Sequence, residues 1–186
     1  GRDLLLSCFA PRAGADTVAI VTVTRDGFSK WSKSLSAASR TWLEQSGFTG
    51  EPGTHALIPD EKGRLSRVAV GVDQPGHVFA LGGLPMTLPA RTYRLDADLD
   101  DGAATRVAIG WAMGAYVFTR YKKAKRDAAR LVWPDGADRD HVEAQARAIY
   151  MARDLINTPA EDMGPSHLAE AARAMAKRHK ARTEVI

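Results

Sequence analysis

The chain has 186 residues, 45% of them hydrophobic and 26% charged, a balance that is typical of a globular protein and excludes an intrinsically disordered one. Its 26 basic and 22 acidic residues give a net charge of +4, which is too mild to indicate nucleic-acid binding by itself. The apolar runs fall short of the ~18 residues that cross a bilayer, and the single cysteine excludes an internal disulfide, so we expect a cytoplasmic protein with no membrane partner.

The first quarter of the chain predicts two strands and one long helix. Residues 4–9 and 17–24 are rich in apolar side chains, and the second run is nearly continuous, as in a strand that is covered on both faces. From Phe28 to Phe48 apolar residues recur at spacings of three and four, which predicts one helix that ends at Gly47.

A hairpin and an apolar loop are predicted next. Strands are expected at 55–58 and 65–72, joined by the turn sequence at 61–64. The segment 81–89 contains two glycines and two prolines, which indicates a loop. Backbone N–H groups at Gly82-Gly83 can in principle hold an anion, but a plain loop is the expected role.

The middle of the chain predicts a strand at Thr92–Leu95 and a long helix at 103–123. Asp100 or Asp101 is expected to cap this helix. Gly110 and Gly114 lie one turn apart on it and leave a flat patch that a sheet or a second helix can approach. The helix is predicted to end in a basic segment, which is favourable at the carboxyl end of a helix.

The remaining elements predict the fold class. A strand at 130–133, a helix at 138–156 and a helix that begins at Gly164-Pro165 follow, and a further strand starts at 183–186. The alternation of strands and helices predicts an α/β fold with a mixed β-sheet and helices on both of its faces. Because the last strand stops where its pairing should continue, we expect the chain to be a segment of a longer protein.

No residue of the sequence is predicted to be catalytic, cofactor-binding or metal-binding. The histidines do not pair at metal-ligand spacing with one another or with Cys8, and surface or helix-end positions are expected for all of them: His55, His77, His141, His167 and His179. No phosphate-binding glycine loop and no nucleophile elbow is present. Cys8 follows Ser7 without a recognisable base and is expected to be a small buried hydrophobic residue.

Two charged clusters are candidate binding sites. One is acidic and has oxygen ligands for a cation, but it lacks the glycine and the final glutamate of a calcium loop, so a solvated helix-capping loop is expected: Asp96, Asp98, Asp100 and Asp101. The other is the segment Arg120–Arg130, in which six of eleven residues are cationic. A solvated helix end is the favoured interpretation, and contact with nucleic-acid phosphates is the alternative.

Two segments resemble a known family. Residues 110–122, Gly-Trp-Ala-Met-Gly-Ala-Tyr-Val-Phe-Thr-Arg-Tyr-Lys, are similar to a helix of the leucyl aminopeptidase (cytosol aminopeptidase) family. Residues 152–165, which contain Ala-Arg-Asp-Leu-Ile-Asn-Thr-Pro, resemble the junction that leads to the catalytic domain in that family. Gly164 departs from the pattern, because many members have a hydroxyl residue there.

The resemblance implies a two-domain metalloaminopeptidase, usually a hexamer, that removes amino-terminal residues from peptides with two divalent ions, manganese or zinc. It implies that the ions and their ligands lie in a catalytic domain and not in these residues. It also implies a macro-domain-like fold for the amino-terminal domain, which packs against its own catalytic domain and contributes to assembly and substrate access.

The resemblance suggests three regions and leaves one alternative function. Residues 1–136 are expected to form the amino-terminal α/β domain, residues 137–163 the linking helix and junction, and residues 164–186 the start of the catalytic domain. The alternative is a ligand- or nucleic-acid-binding module, for which the macro-like fold and the basic segment at 120–130 argue. The aspartate and glycine-rich loops that hold ADP-ribose in macro domains have no match here, and DNA is the less favoured partner.

Overall fold

A computed structural model describes residues 6–185, within which the chain forms six strands and five helices. In chain order they are β1 Phe9–Ala10, β2 Val18–Val23, α1 Arg25–Lys33, α2 Ala37–Ser46, β3 His55–Pro59, β4 Leu65–Gly71, β5 Thr92–Leu95, α3 Asp101–Gly114, β6 Arg130–Val132, α4 Arg139–Asn157 and α5 Pro165–Arg178. None of these helices combines the length and the apolar character needed to cross a membrane.

The strands form one mixed sheet in the order β1-β6-β5-β2-β4-β3. All neighbouring pairs are parallel except β3 and β4, which form the predicted antiparallel hairpin. The nearly continuous apolar run of β2 is explained by its central position between β4 and β5. The predicted α/β fold with a mixed sheet is therefore confirmed.

Helices cover both faces of the sheet, and a separate apolar core lies under each layer. Alternate residues of β4 divide between the two cores: Val68 and Val70 belong to one, and Ala69 belongs to the other. The larger core contains Trp111 of α3 and Val142 of α4, both fully buried. The smaller core contains Leu43 and Phe48, with Phe28, Trp31 and Leu35 packed against it.

The helix predicted at 28–48 is wrong, because this segment forms two helices. The side chain of Ser36 accepts a hydrogen bond from the backbone N–H of Ser39 at 3.2 Å and starts α2. The Ser34 hydroxyl donates to the Trp31 carbonyl at 2.7 Å where α1 ends. Leu35 in the break still packs against the smaller core, so the apolar spacing continues through a segment that is not helical.

The helix predicted at 103–123 is also wrong at its carboxyl end, since α3 ends at Gly114. Contacts from distant residues accompany this end: the Tyr150 hydroxyl donates to the Ala112 carbonyl at 2.5 Å, and Arg153 donates to the Met113 carbonyl at 2.8 Å. The basic residues from 120 onward therefore lie in an irregular segment and do not complete a helix. The predicted cap is confirmed, because the side chain of Asp100 accepts from the Ala103 N–H at 2.7 Å.

A loop approaches α3 at its two glycines, where a sheet or a second helix was predicted. A Cβ atom on Gly110 would lie 1.6 Å from the Val78 carbonyl oxygen, and one on Gly114 would lie 1.8 Å from the Gly82 carbonyl oxygen. Both oxygens belong to the connection between β4 and β5. Glycine is thus required by the close backbone contact of this loop with the helix.

The ends of the chain differ in part from the predicted strands. Residues 4 and 5 lie outside the described residues, and the described strand is only Phe9–Ala10. Residues 183–185 do not form the predicted strand, because the sheet does not extend to them and a strand needs a hydrogen-bonded neighbour. Ile186 lies outside the described residues.

Candidate functional site

The two segments that carry the family resemblance meet where α3 and α4 end. These helices run in the same direction: the Asp138 N–H donates to Thr105 Oγ1 at 2.9 Å near their starts, and Tyr150 contacts the Ala112 carbonyl near their ends. The segment after α3 then continues alongside the last turns of α4 and the turn that follows it. This arrangement brings residues near 116 and 121 beside residues near 154 and 162.

Tyr116 is the centre of the first contact. Its hydroxyl donates to Asp154 Oδ1 at 2.8 Å and accepts from Asn157 Nδ2 at 3.1 Å. The Arg153 guanidinium lies 5.2 Å from the centre of its ring, and the Tyr150 ring packs edge-on at 5.1 Å. Desolvation raises the pKa of Tyr116, the amide of Asn157 opposes this, and Asp154 adds to it. The hydroxyl is therefore protonated, and a hydrogen-bond donor, at neutral pH.

Tyr121 makes the second contact, with the turn that follows α4. Its hydroxyl donates to Asp162 Oδ2 in a short hydrogen bond, and this bond, together with desolvation, raises the pKa of Tyr121. The backbone N–H of Asp162 in turn donates to the Pro159 carbonyl at 2.9 Å. We call Tyr116, Tyr121, Asp154, Asn157 and Asp162 the junction cluster. Its tyrosine–carboxylate pairs hold two segments together, with both tyrosine hydroxyls acting as hydrogen-bond donors.

The histidines are spread along the chain, and two of them lie at the two ends of α5. His55 lies on β3 and His141 in the first turn of α4, while His77 Nδ1 accepts from the Phe79 N–H at 3.3 Å. His167 Nδ1 accepts from the Gly164 N–H at 3.1 Å at the start of α5, and His179 caps the end of that helix. Within residues 6–185, no group of three or more histidine, cysteine or acidic residues is placed to hold a metal ion.

The other candidates have structural roles. The Gly82 N–H donates to the Phe79 carbonyl at 3.2 Å, and the Gly83 carbonyl accepts from Thr87 Oγ1 at 2.7 Å, so Gly82-Gly83 is the plain loop that was predicted. Cys8 is 4% exposed, and burial raises the pKa of its thiol to about 12, as expected for a small buried hydrophobic residue. Among the predicted acidic cluster, Asp100 caps α3 and Asp96 lies 4.0 Å from Arg94.

The junction cluster was not predicted from the sequence, although its residues belong to the two segments that resemble the family. Its tyrosine–carboxylate partners lie 38 and 41 positions apart, and no helical or strand period connects such residues. Only knowledge that the segment after Gly114 lies beside the end of α4 would have indicated these pairs.

Comparison with known proteins places these residues in a family. Residues 18–134 match the family model described as "M17 aminopeptidase, N-terminal domain". The chain belongs to this family. The match begins at β2 and ends after β6, so it covers most of the sheet and α1 to α3.

Relatives and solved structures of the family are longer than this chain. It is 27% identical to a probable cytosol aminopeptidase of Aeropyrum pernix and 29% identical to one of Brucella melitensis, over 85% and 92% of the chain. It spans only 35% and 39% of the length of these relatives.

The structure of the cytosol aminopeptidase from Coxiella burnetii has a TM-score of 0.84 and 35% identity; the match covers 96% of this chain and 39% of that one. The bottromycin maturation enzyme BotP in complex with Mn has a TM-score of 0.60 and 26% identity, over 89% of this chain and 37% of that one. The family fold is thus shared over nearly the whole chain.

Proposed function

We propose that this chain is the non-catalytic amino-terminal domain of a metal-dependent leucyl aminopeptidase-type exopeptidase, and that it serves assembly and substrate access. The observation that carries the proposal is the match of residues 18–134 to the amino-terminal-domain model, in a chain that spans little more than a third of its relatives. The parent would remove amino-terminal residues from peptides in the cytoplasm. The name "cytosol aminopeptidase", which the relatives carry, supports both the reaction and the compartment.

We assign three regions to the chain: an amino-terminal domain at 1–136, a linking helix and junction at 137–163, and the start of a catalytic domain at 164–186. The packing of the last two helices supports the proposal that α4 belongs with the amino-terminal core and that α5 begins a different domain. Val142 and Ala146 of α4 are fully buried in the larger core, whereas only Ala176 is buried among the 14 residues of α5. Ile156 and Leu168, on either side of the junction, are 81% and 54% exposed.

The catalytic chemistry would reside in the rest of the parent. Two divalent ions, manganese or zinc, would polarise the scissile carbonyl and activate a water there. The manganese in the BotP complex supports this choice of ion. The parent would be a hexamer, in which this domain contacts its own catalytic domain through the junction.

A peptidase assay tests the proposal. The 186-residue chain is incubated with leucine p-nitroanilide and Mn²⁺, with the chain plus a chelator as the control. We expect no release of p-nitroaniline above the chelated sample, because no metal-ligand group is present among the described residues. Turnover that needs the metal would show that the chain contains a peptidase site and would overturn the proposal.

Nucleic-acid binding by the basic segment is a second candidate function. Lys122, Lys123 and Lys125 are exposed and form no ion pair with another described residue, so their charges are available to phosphates. A gel-shift assay with duplex DNA at low and at physiological salt tests this function. Binding should be lost at the higher salt, and replacing the three lysines with glutamine should weaken it. K177Q and K180Q, near the end of α5, are the control and should leave binding unchanged. Absence of a shift at low salt would end this idea.

A further inference from the structure

A cleft lies at the amino-terminal ends of β5 and β6, apart from the junction cluster. It is bounded on one side by Ala10 and the connection from β1 to β2, residues 11–17, and on the other by Arg91, Thr92 and Arg130. Its volume is about 690 Å³, within the range of small-molecule sites. The connection contributes small residues here, and Gly14 has no atom within 4 Å of its Cβ position, so side chains leave the cleft open.

Three arginines line this cleft, and they are poorly compensated. Arg12, Arg91 and Arg130 are exposed, and Asp16 is the single carboxylate among the described residues of the lining. The side chains of Arg12 and Arg91 form no hydrogen bond or ion pair with any described residue. Arg130 uses one guanidinium nitrogen to donate to the Phe9 carbonyl at 3.1 Å and keeps its other donors.

The backbone places two of these cations side by side. Thr92 pairs with Arg130 in the parallel register of β5 and β6, and the Arg130 N–H donates to the Arg91 carbonyl at 2.8 Å. Neighbouring strands lie about 4.8 Å apart, so the backbones of Arg91 and Arg130 reach the same rim of the cleft, which both residues line.

The chemistry of the lining selects the class of ligand. Guanidinium groups present paired donors that match phosphate oxygens, and several of them around one cleft favour a ligand with more than one negative charge. The hydroxyls of Thr17 and Thr92 are the other polar side chains of the lining, while Gly14 N–H is already bonded to Thr17 Oγ1 at 2.7 Å. The arginines therefore supply most of the donors that an anion in this cleft would meet.

We propose that the cleft between residues 10–17 and the starts of β5 and β6 binds a small anion with two adjacent phosphate groups, held by Arg12, Arg91 and Arg130. This site shares no residue with the junction cluster, and anion binding there is a property beyond the proposed aminopeptidase role. Since the arginines are exposed, binding depends strongly on ionic strength.

Titration calorimetry with inorganic pyrophosphate and the 186-residue chain tests the proposal, at about 20 mM and about 200 mM salt. We expect binding at low salt that weakens at the higher salt. R91Q and R12Q should each weaken it about tenfold, because each removes a charge-assisted contact. R173Q is the matched control: it removes the same charge from α5, which contributes nothing to the cleft, and should change affinity less than about twofold. Circular dichroism of each variant should match the parent chain.

Several results would overturn the site. One is the absence of heat at low salt, together with unchanged amide signals of residues 13–16, 91 and 92 in NMR spectra. Another is an equal loss of affinity in R173Q and R91Q, which would indicate attraction by net charge alone. Inorganic phosphate binding as tightly as pyrophosphate would contradict the need for two phosphates. A further test is competition with duplex DNA. If DNA displaces pyrophosphate, binds more tightly and is weakened equally by R91Q, the cleft contacts a polymer backbone and not a small anion. None of these results bears on peptidase activity.

Discussion

Gly110 and Gly114 allow the loop between β4 and β5 to lie directly on α3. The loop carbonyls of Val78 and Gly82 occupy the positions that side-chain carbons would take on these two residues. In the sequence the glycines indicated a close approach, but not which element makes it, because that depends on the path of a loop without periodicity. The same limit applies to the junction cluster, whose partners are far apart along the chain.

Gly110→Ala tests this contact, because helix propensity and packing predict opposite changes in the free energy of unfolding. Propensity alone would stabilise the helix by about 1 kcal/mol. The new methyl group would lie 1.6 Å from the Val78 oxygen, so we expect the free energy of unfolding to fall by about 2 kcal/mol or more in urea denaturation. Gly83→Ala is the control: no atom lies within 4 Å of its Cβ position, and the change should stay within about 0.5 kcal/mol. A stabilised G110A variant would contradict the close contact of loop and helix.

Cys8 makes stability depend on pH above neutrality. Burial raises the pKa of its thiol from 9.0 to about 12, so the folded state favours the protonated form. This contribution to stability is complete below about pH 9 and is lost as the pH rises towards about 12. We expect urea midpoints to decrease across that window and to decrease less in C8A. A thiol reagent that labels Cys8 rapidly at about pH 8 in the folded chain would contradict the burial.

At the scale of elements, the internal strands and α4 were predicted close to their bounds, whereas the helices predicted at 28–48 and 103–123 were not. Thr92–Leu95 and the hairpin strands were found close to their observed bounds, because their composition and turn signals are local. The end of α3 was missed because the carbonyls of Ala112 and Met113 are bonded by side chains of α4, which no local pattern reports. The break between α1 and α2 was missed because the apolar spacing continues through it.

The edge strand β3 yields a prediction at this scale. The Trp42 indole N–H donates to the Leu57 carbonyl at 2.7 Å, and this hydrogen bond occupies an acceptor on the unpaired side of the strand. Pro59 has no backbone N–H that another strand could bind. Edge strands with free backbone groups pair with other chains. We therefore expect W42F to increase concentration-dependent self-association in sedimentation velocity. W133F is the control, because Trp133 stacks on Phe9 and makes no hydrogen bond through its indole to another described residue. Equal behaviour of the two variants would show that Trp42 does not protect the edge.

At the scale of the whole molecule, the described residues form two cores, one on each face of the sheet, and one lightly packed final helix. Five parallel strands, α3 and α4 share the larger core, whereas α5 contributes a single buried residue, Ala176. The sequence predicted the class of fold and the family because both depend on element order and on short motifs. It did not predict how unequally the last two helices are packed, since their apolar spacing is similar.

Two truncations test this difference. Removal of residues 164–186 should lower the melting temperature by less than about 5 °C, because little apolar surface is uncovered. Removal of residues 137–186 also deletes Val142 and Ala146 from the larger core and should abolish cooperative unfolding. Differential scanning calorimetry distinguishes the outcomes. A large loss in the shorter truncation would show that α5 is an integral part of the fold.

The central claim is that these residues form the scaffold of an aminopeptidase and not its metal site. The most direct measurement is the metal content of the 186-residue chain after equilibrium dialysis against Mn²⁺ or Zn²⁺ and removal of free ions. We expect far less than one tightly bound ion per chain, because the described residues bring no metal-ligand group together. The claim would be contradicted if the chain retained two ions and hydrolysed leucine p-nitroanilide, and if a chelator removed both the ions and the activity.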